Sequence, residues 1–141
     1  MWDTITDGLV EALAYSGVGI VLMGLGYLLV DIITPGKLRE LIWEHRNVNA
    51  TVLLTSNLLA VGLIVATAIL ASEDGLSAGI ASTLVYGIAG LAMMAIAFLL
   101  LDLATPGKLG EMLVHPETHP AVWVSAAVHV AIGGILAAAI S

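Results

Sequence analysis

Two stretches of eight residues carry most of the chemistry this chain offers: Asp31-Ile32-Ile33-Thr34-Pro35-Gly36-Lys37-Leu38 and Asp102-Leu103-Ala104-Thr105-Pro106-Gly107-Lys108-Leu109. Proline lacks an amide hydrogen and disfavours helix in the residue before it, so Thr34-Pro35 and Thr105-Pro106 should end or redirect any helix that reaches them. Threonine as N-cap and proline at the first helical position would then start a short helix, with Gly36 and Gly107 in its first turn. A carboxylate at the carboxyl end of a helix meets the negative pole of the macrodipole, and a nearby cation would relieve it. Lys37 and Lys108 would occupy the third helical position, where the dipole disfavours a cation, so they are expected to serve something besides the cap. Three roles fit: an Asp–Lys clamp, a cation or proton site built on Asp31 and Asp102, or contact of Lys37 and Lys108 with lipid phosphates.

Two further polar residues stand in otherwise apolar surroundings, Asn57 and His129. Asn57 follows Thr55 and Ser56, a pattern suited to hydrogen bonds between helices in lipid, where polar groups seek partners inside a bundle. His129 shares a helical face with Ser125 and Gly133. It suits either a neutral imidazole satisfied inside the bundle or, because histidine titrates near physiological pH, a proton relay or permeation lining. Glu111, His115 and His119 have i, i+4, i+8 spacing, but Pro116 interrupts the helix that would align them as metal ligands. No nucleophilic triad, phosphate-binding glycine loop or pair of general acids is found, so neither catalysis nor a metal or other cofactor is expected.

The elements that must position these groups follow from composition. Of the 141 residues, 60% are hydrophobic and 11% are charged, against about a quarter charged in an average soluble domain, and the mean hydropathy is +1.06. Such a chain lacks the polar surface to coat a water-exposed globule. Disorder, a disulfide scaffold and nucleic-acid binding are excluded on the same figures, since low hydrophobicity, cysteines and a basic surplus are all absent. About twenty apolar residues cross the hydrocarbon core of a bilayer, and four segments pass that test: Leu9 to Val30, Ala50 to Ala71, Ala78 to Leu101, and Ala121 to Ile140. The fold class is therefore an all-α membrane protein with four transmembrane helices, and with short interfacial helices after the first and third. In those short helices Leu38, Leu41 and Ile42, matched by Leu109, Met112 and Leu113, would form an apolar stripe on the membrane surface.

All four basic residues, Lys37, Arg39, Arg46 and Lys108, fall in the loops after the first and third spans, while the other flanks carry Asp3, Asp7, Glu73 and Asp74. The positive-inside rule then places the two signature loops in the cytoplasm and both termini outside. Trp2 suits the outer aromatic belt, and Trp43 and Trp123 the inner one. The amino terminus lacks the basic region of a cleavable signal, so the first span is expected to remain as an anchor.

Shifted by 71 residues, Gly8 to Ile69 aligns without a gap on Gly79 to Ile140, with 21 identities in 62 positions. Residues 8–69 and 79–140 thus read as two repeats within a single membrane domain of 1–141. Tyr15 and Tyr86, Gly19 and Gly90, Met23 and Met94, and Gly62 and Gly133 coincide besides the signatures. Two spans per copy give both copies the same orientation, so they are parallel repeats about an axis along the membrane normal, not inverted ones.

Two tandem hairpins, each with an Asp-x-x-Thr-Pro-Gly-Lys-Leu signature, resemble the YjfL-like family of small uncharacterised bacterial inner-membrane proteins, over nearly the whole chain. The resemblance implies a four-helix protein of the bacterial cytoplasmic membrane and a link to envelope stress, since such proteins are often encoded near phage-shock-type components. It implies no catalytic residue.

Small residues line every span, which favours close helix packing, little room for a pore inside one bundle, and a homo-oligomer in the lipid bilayer. Two functions fit these features. One is an oligomeric ion or proton permeation protein using Asp31 and Asp102, with His129 and Asn57 as deeper candidates. The other is a non-catalytic scaffold whose Thr-Pro-Gly-Lys-Leu loops dock a cytoplasmic membrane-stress partner.

Overall fold

The computed structural model describes residues 2–72 and 75–141, the side chains of Trp2 and Asp3 excepted. The belt position expected for Trp2, and the flanking acids Asp3, Glu73 and Asp74, therefore lie outside the described features. Over the described residues the protein is all-helical, with four helices long and apolar enough to cross a membrane: Trp2–Ile33, Val48–Leu70, Leu76–Ala104 and Pro120–Ile140. These are the first to fourth spans. Each is apolar around its whole circumference, as befits a helix with lipid on one side and protein on the other. The first and third, at 32 and 29 residues, are longer than the second and fourth, at 23 and 21. At about 1.5 Å per residue all four reach across a hydrocarbon core of about 30 Å.

Short helices follow the first and third spans: Leu38 and Arg39 are helical and run into a π-helical turn Glu40–Glu44, and Leu109–Leu113 is an α-helical turn. They begin later than the Thr-Pro cap would place them, and Leu38, Leu109 and Leu113 face inward instead of lying along a surface, while Trp43 is exposed. Leu38, Leu109 and Leu113 are fully or almost fully buried and share one cluster with Val30, Leu53, Phe98 and Val122, with Leu41 and Ile42 packed against it. The short helices thus plug one end of the bundle. A second cluster, Leu22, Ala60, Val61, Val65, Leu91 and Met94, fills the middle.

The second span is the hub. It packs against all three others, most extensively against the fourth, while the first and fourth spans barely meet. Glycines allow the closest approaches. A Cβ on Gly133 of the fourth span would lie 2.8 Å from Ala60 Cα of the second, closer than real Cβ atoms come. A Cβ on Gly134, one residue along, would meet nothing within 4 Å. In lipid, where both sides of the contact are apolar, such packing is what holds helices together. Gly133→Ala is therefore expected to destabilise the bundle by about 1–3 kcal/mol through overpacking, and Gly134→Ala to leave it within about 0.5 kcal/mol. Unfolding of the two variants by sodium dodecyl sulfate in mixed micelles measures the difference.

Candidate functional site

The two signature loops have the same local construction. The first span ends at Ile33, residues 34–36 bend, and Gly36 takes φ +99°; in the second copy the third span ends at Ala104 and Gly107 takes φ +103°. No L-amino acid with a side chain adopts that backbone without strain, which accounts for glycine in both copies. The chain then turns back toward the helix it has left. The Leu38 amide donates to Asp31 Oδ1 at 2.7 Å, and the Leu109 amide donates to Asp102 Oδ1 at 2.7 Å. Each aspartate thereby caps a short helix seven residues ahead of it. The carboxylate at the unfavourable end of one helix is relieved by the amide end of the next, where negative charge is favoured.

This arrangement changes the expected roles of the neighbouring residues. Threonine is not the N-cap. Thr34 Oγ1 is buried without a hydrogen-bond partner, and Thr105 Oγ1 donates to the Leu101 carbonyl at 2.6 Å within the span it ends. Lys108 itself is the N-cap residue of the Leu109–Leu113 helix, so it does not stand at the third helical position. Nor do the lysines pair with the aspartates: Lys37 Nζ lies 3.7 Å from Glu40 Oε1 and Lys108 Nζ 3.9 Å from Glu111 Oε1. Both lysine side chains are nearly four-fifths exposed, so these pairs contribute little and leave the ammonium groups accessible.

The loops touch each other. A Cβ on Gly110 would lie 3.0 Å from Pro35 Cδ and 3.3 Å from the Ile33 carbonyl oxygen. The signature of the first copy carries Arg39 at this position, and glycine in the second lets the loops nest. Between them lies a crevice of about 300 Å³ bordered by Pro35, Asp102, Lys108 and Glu111.

Two asparagines not singled out in the sequence hold this end of the bundle together. Asn47 caps the second span by accepting from the Ala50 amide at 2.9 Å, and its Nδ2 donates to the carbonyls of Val114 and His115, both at 3.0 Å. Asn49 is almost wholly buried. Its Nδ2 donates to the carbonyls of His115 and Glu117 at 3.1 and 2.8 Å, and its Oδ1 accepts from the His119 amide at 2.9 Å. The repeat offers no hint of this, because position 47 aligns with Thr118 and position 49 with Pro120. Asparagine at a span entry was the available signal. His119 Nδ1 accepts from the Ala121 amide at 3.1 Å and so caps the fourth span. The helix before it stops at Leu113, so Glu111, His115 and His119 do not share a helical face.

Deeper in the bundle, His129 and Asn57 are both buried, at 2% and 0% exposure. His129 Nδ1 lies 3.3 Å from Ser56 Oγ, joining the fourth span to the second. Ser56 Oγ donates its proton to the Leu53 carbonyl at 2.8 Å, so the contact with His129 is a hydrogen bond when Nδ1 carries the proton. Asn57 Nδ2 donates to Met94 Sδ at 3.7 Å, and its Oδ1 has no partner and faces Gly26. Asn57 and His129 thus reach different partners, as their mismatch in the repeat alignment foreshadows.

The capping geometry sets a testable order. Asp31→Ala leaves the Leu38 amide without its acceptor and is expected to cost about 1–3 kcal/mol, whereas Asp31→Asn keeps an oxygen in place and costs less. Amide hydrogen exchange at Leu38 is expected to accelerate strongly in the alanine variant and only slightly in the asparagine one.

Residues 4–140 match the family model described as "Domain of Unknown Function (DUF350)". The chain is 34% identical over 139 residues to a "UPF0719 transmembrane protein" of Mycolicibacterium paratuberculosis, covering 99% of this chain and 92% of the relative. It is 37% identical over 137 residues to a "UPF0719 transmembrane protein" of Mycobacterium bovis, covering 97% and 90%. No solved structure matches. A four-span membrane protein matched from near its first residue to near its last, this chain belongs to the DUF350 family.

Proposed function

We propose that this protein is a non-catalytic scaffold of the bacterial cytoplasmic membrane, whose paired Thr-Pro-Gly-Lys-Leu loops face the cytoplasm and dock a membrane-stress partner. The observation that carries this reading is the bond from each signature aspartate to the leucine amide seven residues on, made identically in both copies. It commits one oxygen of each carboxylate to holding loop shape. The loops so shaped touch at Pro35 and Gly110 and leave Lys37 and Lys108 exposed, which suits recognition of an acidic surface. The cytoplasmic placement rests on the confinement of all four basic residues to these loops, and the stress partner on the resemblance of the tandem signature to YjfL-like proteins.

A second reading, ion or proton permeation through Asp31, Asp102 and the deeper polar groups, draws on a different observation. Asn57 Oδ1 is buried without a partner, and the Ser56–His129 contact crosses between spans nearby in sequence. Unsatisfied polar atoms in a span are costly and often mark a pathway.

Proteoliposomes and crosslinking in cells separate the two. For a scaffold, wild-type protein shows proton and cation flux no greater than empty vesicles. A photocrosslinker at Lys37 or Lys108 then captures one discrete cytoplasmic protein, and a crosslinker at Arg39 loses that adduct when Lys37→Glu and Lys108→Glu are combined. Flux well above empty vesicles that disappears in the Asp31→Asn, Asp102→Asn protein would overturn the scaffold in favour of permeation.

A further inference from the structure

A groove of about 630 Å³ runs along the outside of the bundle between the first and second spans, lined in part by Ala12, Ser16, Gly19, Met23, Gly62 and Ala66. A shift of 71 residues carries these onto Thr83, Gly87, Gly90, Met94, Gly133 and Ala137. In the second copy all six are buried. The corresponding groove, between the third and fourth spans, is filled by the second span and, at Gly87, by Leu22 of the first. Ile64 lies over Gly90, Asn57 reaches Met94 Sδ at 3.7 Å, and Ala60 sits against Gly133. One hairpin therefore offers a groove that is filled, and the other the same groove left open.

The filling surface is duplicated as well. Asn57, Ala60 and Ile64 of the second span align with Val128, Ala131 and Ile135 of the fourth. The first three are fully or almost fully buried, while Ala131 is exposed and Ile135 is 67% exposed. A closed two-fold pairing of the hairpins would use both grooves and both filling faces within one chain. The observed pairing does not. The first and fourth spans barely meet, and a Cβ on Gly62, the counterpart of Gly133, would have only Met23 Cε near it, at 3.5 Å. The two halves are joined head to tail, which leaves one socket and one plug of matching kind on the outside of every chain.

We propose that the protein assembles head to tail with itself, the fourth span of one copy seated in the groove between the first and second spans of the next. Each junction between chains then repeats the groove packing between the two halves of one chain, without the Asn47 and Asn49 bonds, whose counterparts are Thr118 and Pro120. Head-to-tail contacts of this kind make rings when the rotation closes. The plug carries no charge, and the groove presents small residues at the positions where the filled groove has them, the composition that lets helix backbones approach in lipid.

The chain contains no cysteine, so crosslinks can be placed at will. Asn57 and Met94 touch in the filled groove, and their counterparts are Val128 and Met23. Protein carrying both Met23→Cys and Val128→Cys, reconstituted in vesicles and oxidised with copper phenanthroline, is expected to form a ladder of dimers and higher species. Met23→Cys mixed with Val128→Cys is expected to stop at dimers, and each alone to give at least about ten-fold less product. Adding Ala131→Trp, which enlarges an exposed side chain of the plug, should abolish the crosslink. Leu103→Trp should not, because Leu103 and its counterpart Ile32 are both exposed in the folded chain. Absence of crosslinking from cysteines that react freely with maleimide would mean that lipid fills the groove, and would overturn the proposal. Equal crosslinking by either single variant would also overturn it, by showing face-to-face pairing of like surfaces.

Discussion

A chain that breaks helix at the edge of a bilayer must find partners for the backbone groups it frees, because lipid supplies none. In this protein an aspartate side chain meets that demand twice. Proline stops the span, glycine supplies the left-handed turn, and the carboxylate one turn back takes the first amide of the returning helix at 2.7 Å in each copy. The rest of that end follows from this closure. Once the turn is fixed, Leu38 and Leu109 point into the bundle and complete its core, and Gly110 rests on Pro35. An acid placed at the unfavourable end of one helix makes the same hydrogen bond to the next in both copies.

Away from the loops, the fold depends on backbone proximity in preference to side-chain bulk. Gly87 receives Leu22, Gly90 receives Ile64 and Gly133 receives Ala60. Few large side chains are wholly enclosed, and many valines, leucines and isoleucines point outward, as expected where the surroundings are themselves apolar. Among the described residues, polar bonds between spans include Ser56 with His129 and Asn57 with Met94, and Tyr15 of the first span reaches Ser72, in the turn after the second, at 3.5 Å near the opposite end.

Much of this is legible in the sequence. Four spans follow from hydropathy and length, and the positions of the loops from Pro35 and Pro106. The inward burial of Ser125, His129 and Gly133 follows from their shared helical face. What escaped sequence reasoning has a common physical cause. The partner of Asp31 is a backbone amide, and every residue except proline carries one, so no residue type announces it; lysine was the conspicuous candidate and proved to pair with Glu40. The Asn47 and Asn49 contacts are likewise made to carbonyls, of residues about 66 to 68 positions away. Thr34 misled because threonine before proline is a good cap in general, while here the glycine turn moves the helix start to the leucine.

The asparagine staple makes the two halves of the chain unequal. Its donors lie in one half and its acceptor carbonyls in the other, and the aligned positions in the second half hold Thr118 and Pro120. A hairpin of the second kind paired with its twin would lack these donors. At this end of the bundle each half therefore supplies what the other lacks, the first the amide donors and the second the carbonyls they reach, so the two hairpins are not interchangeable parts.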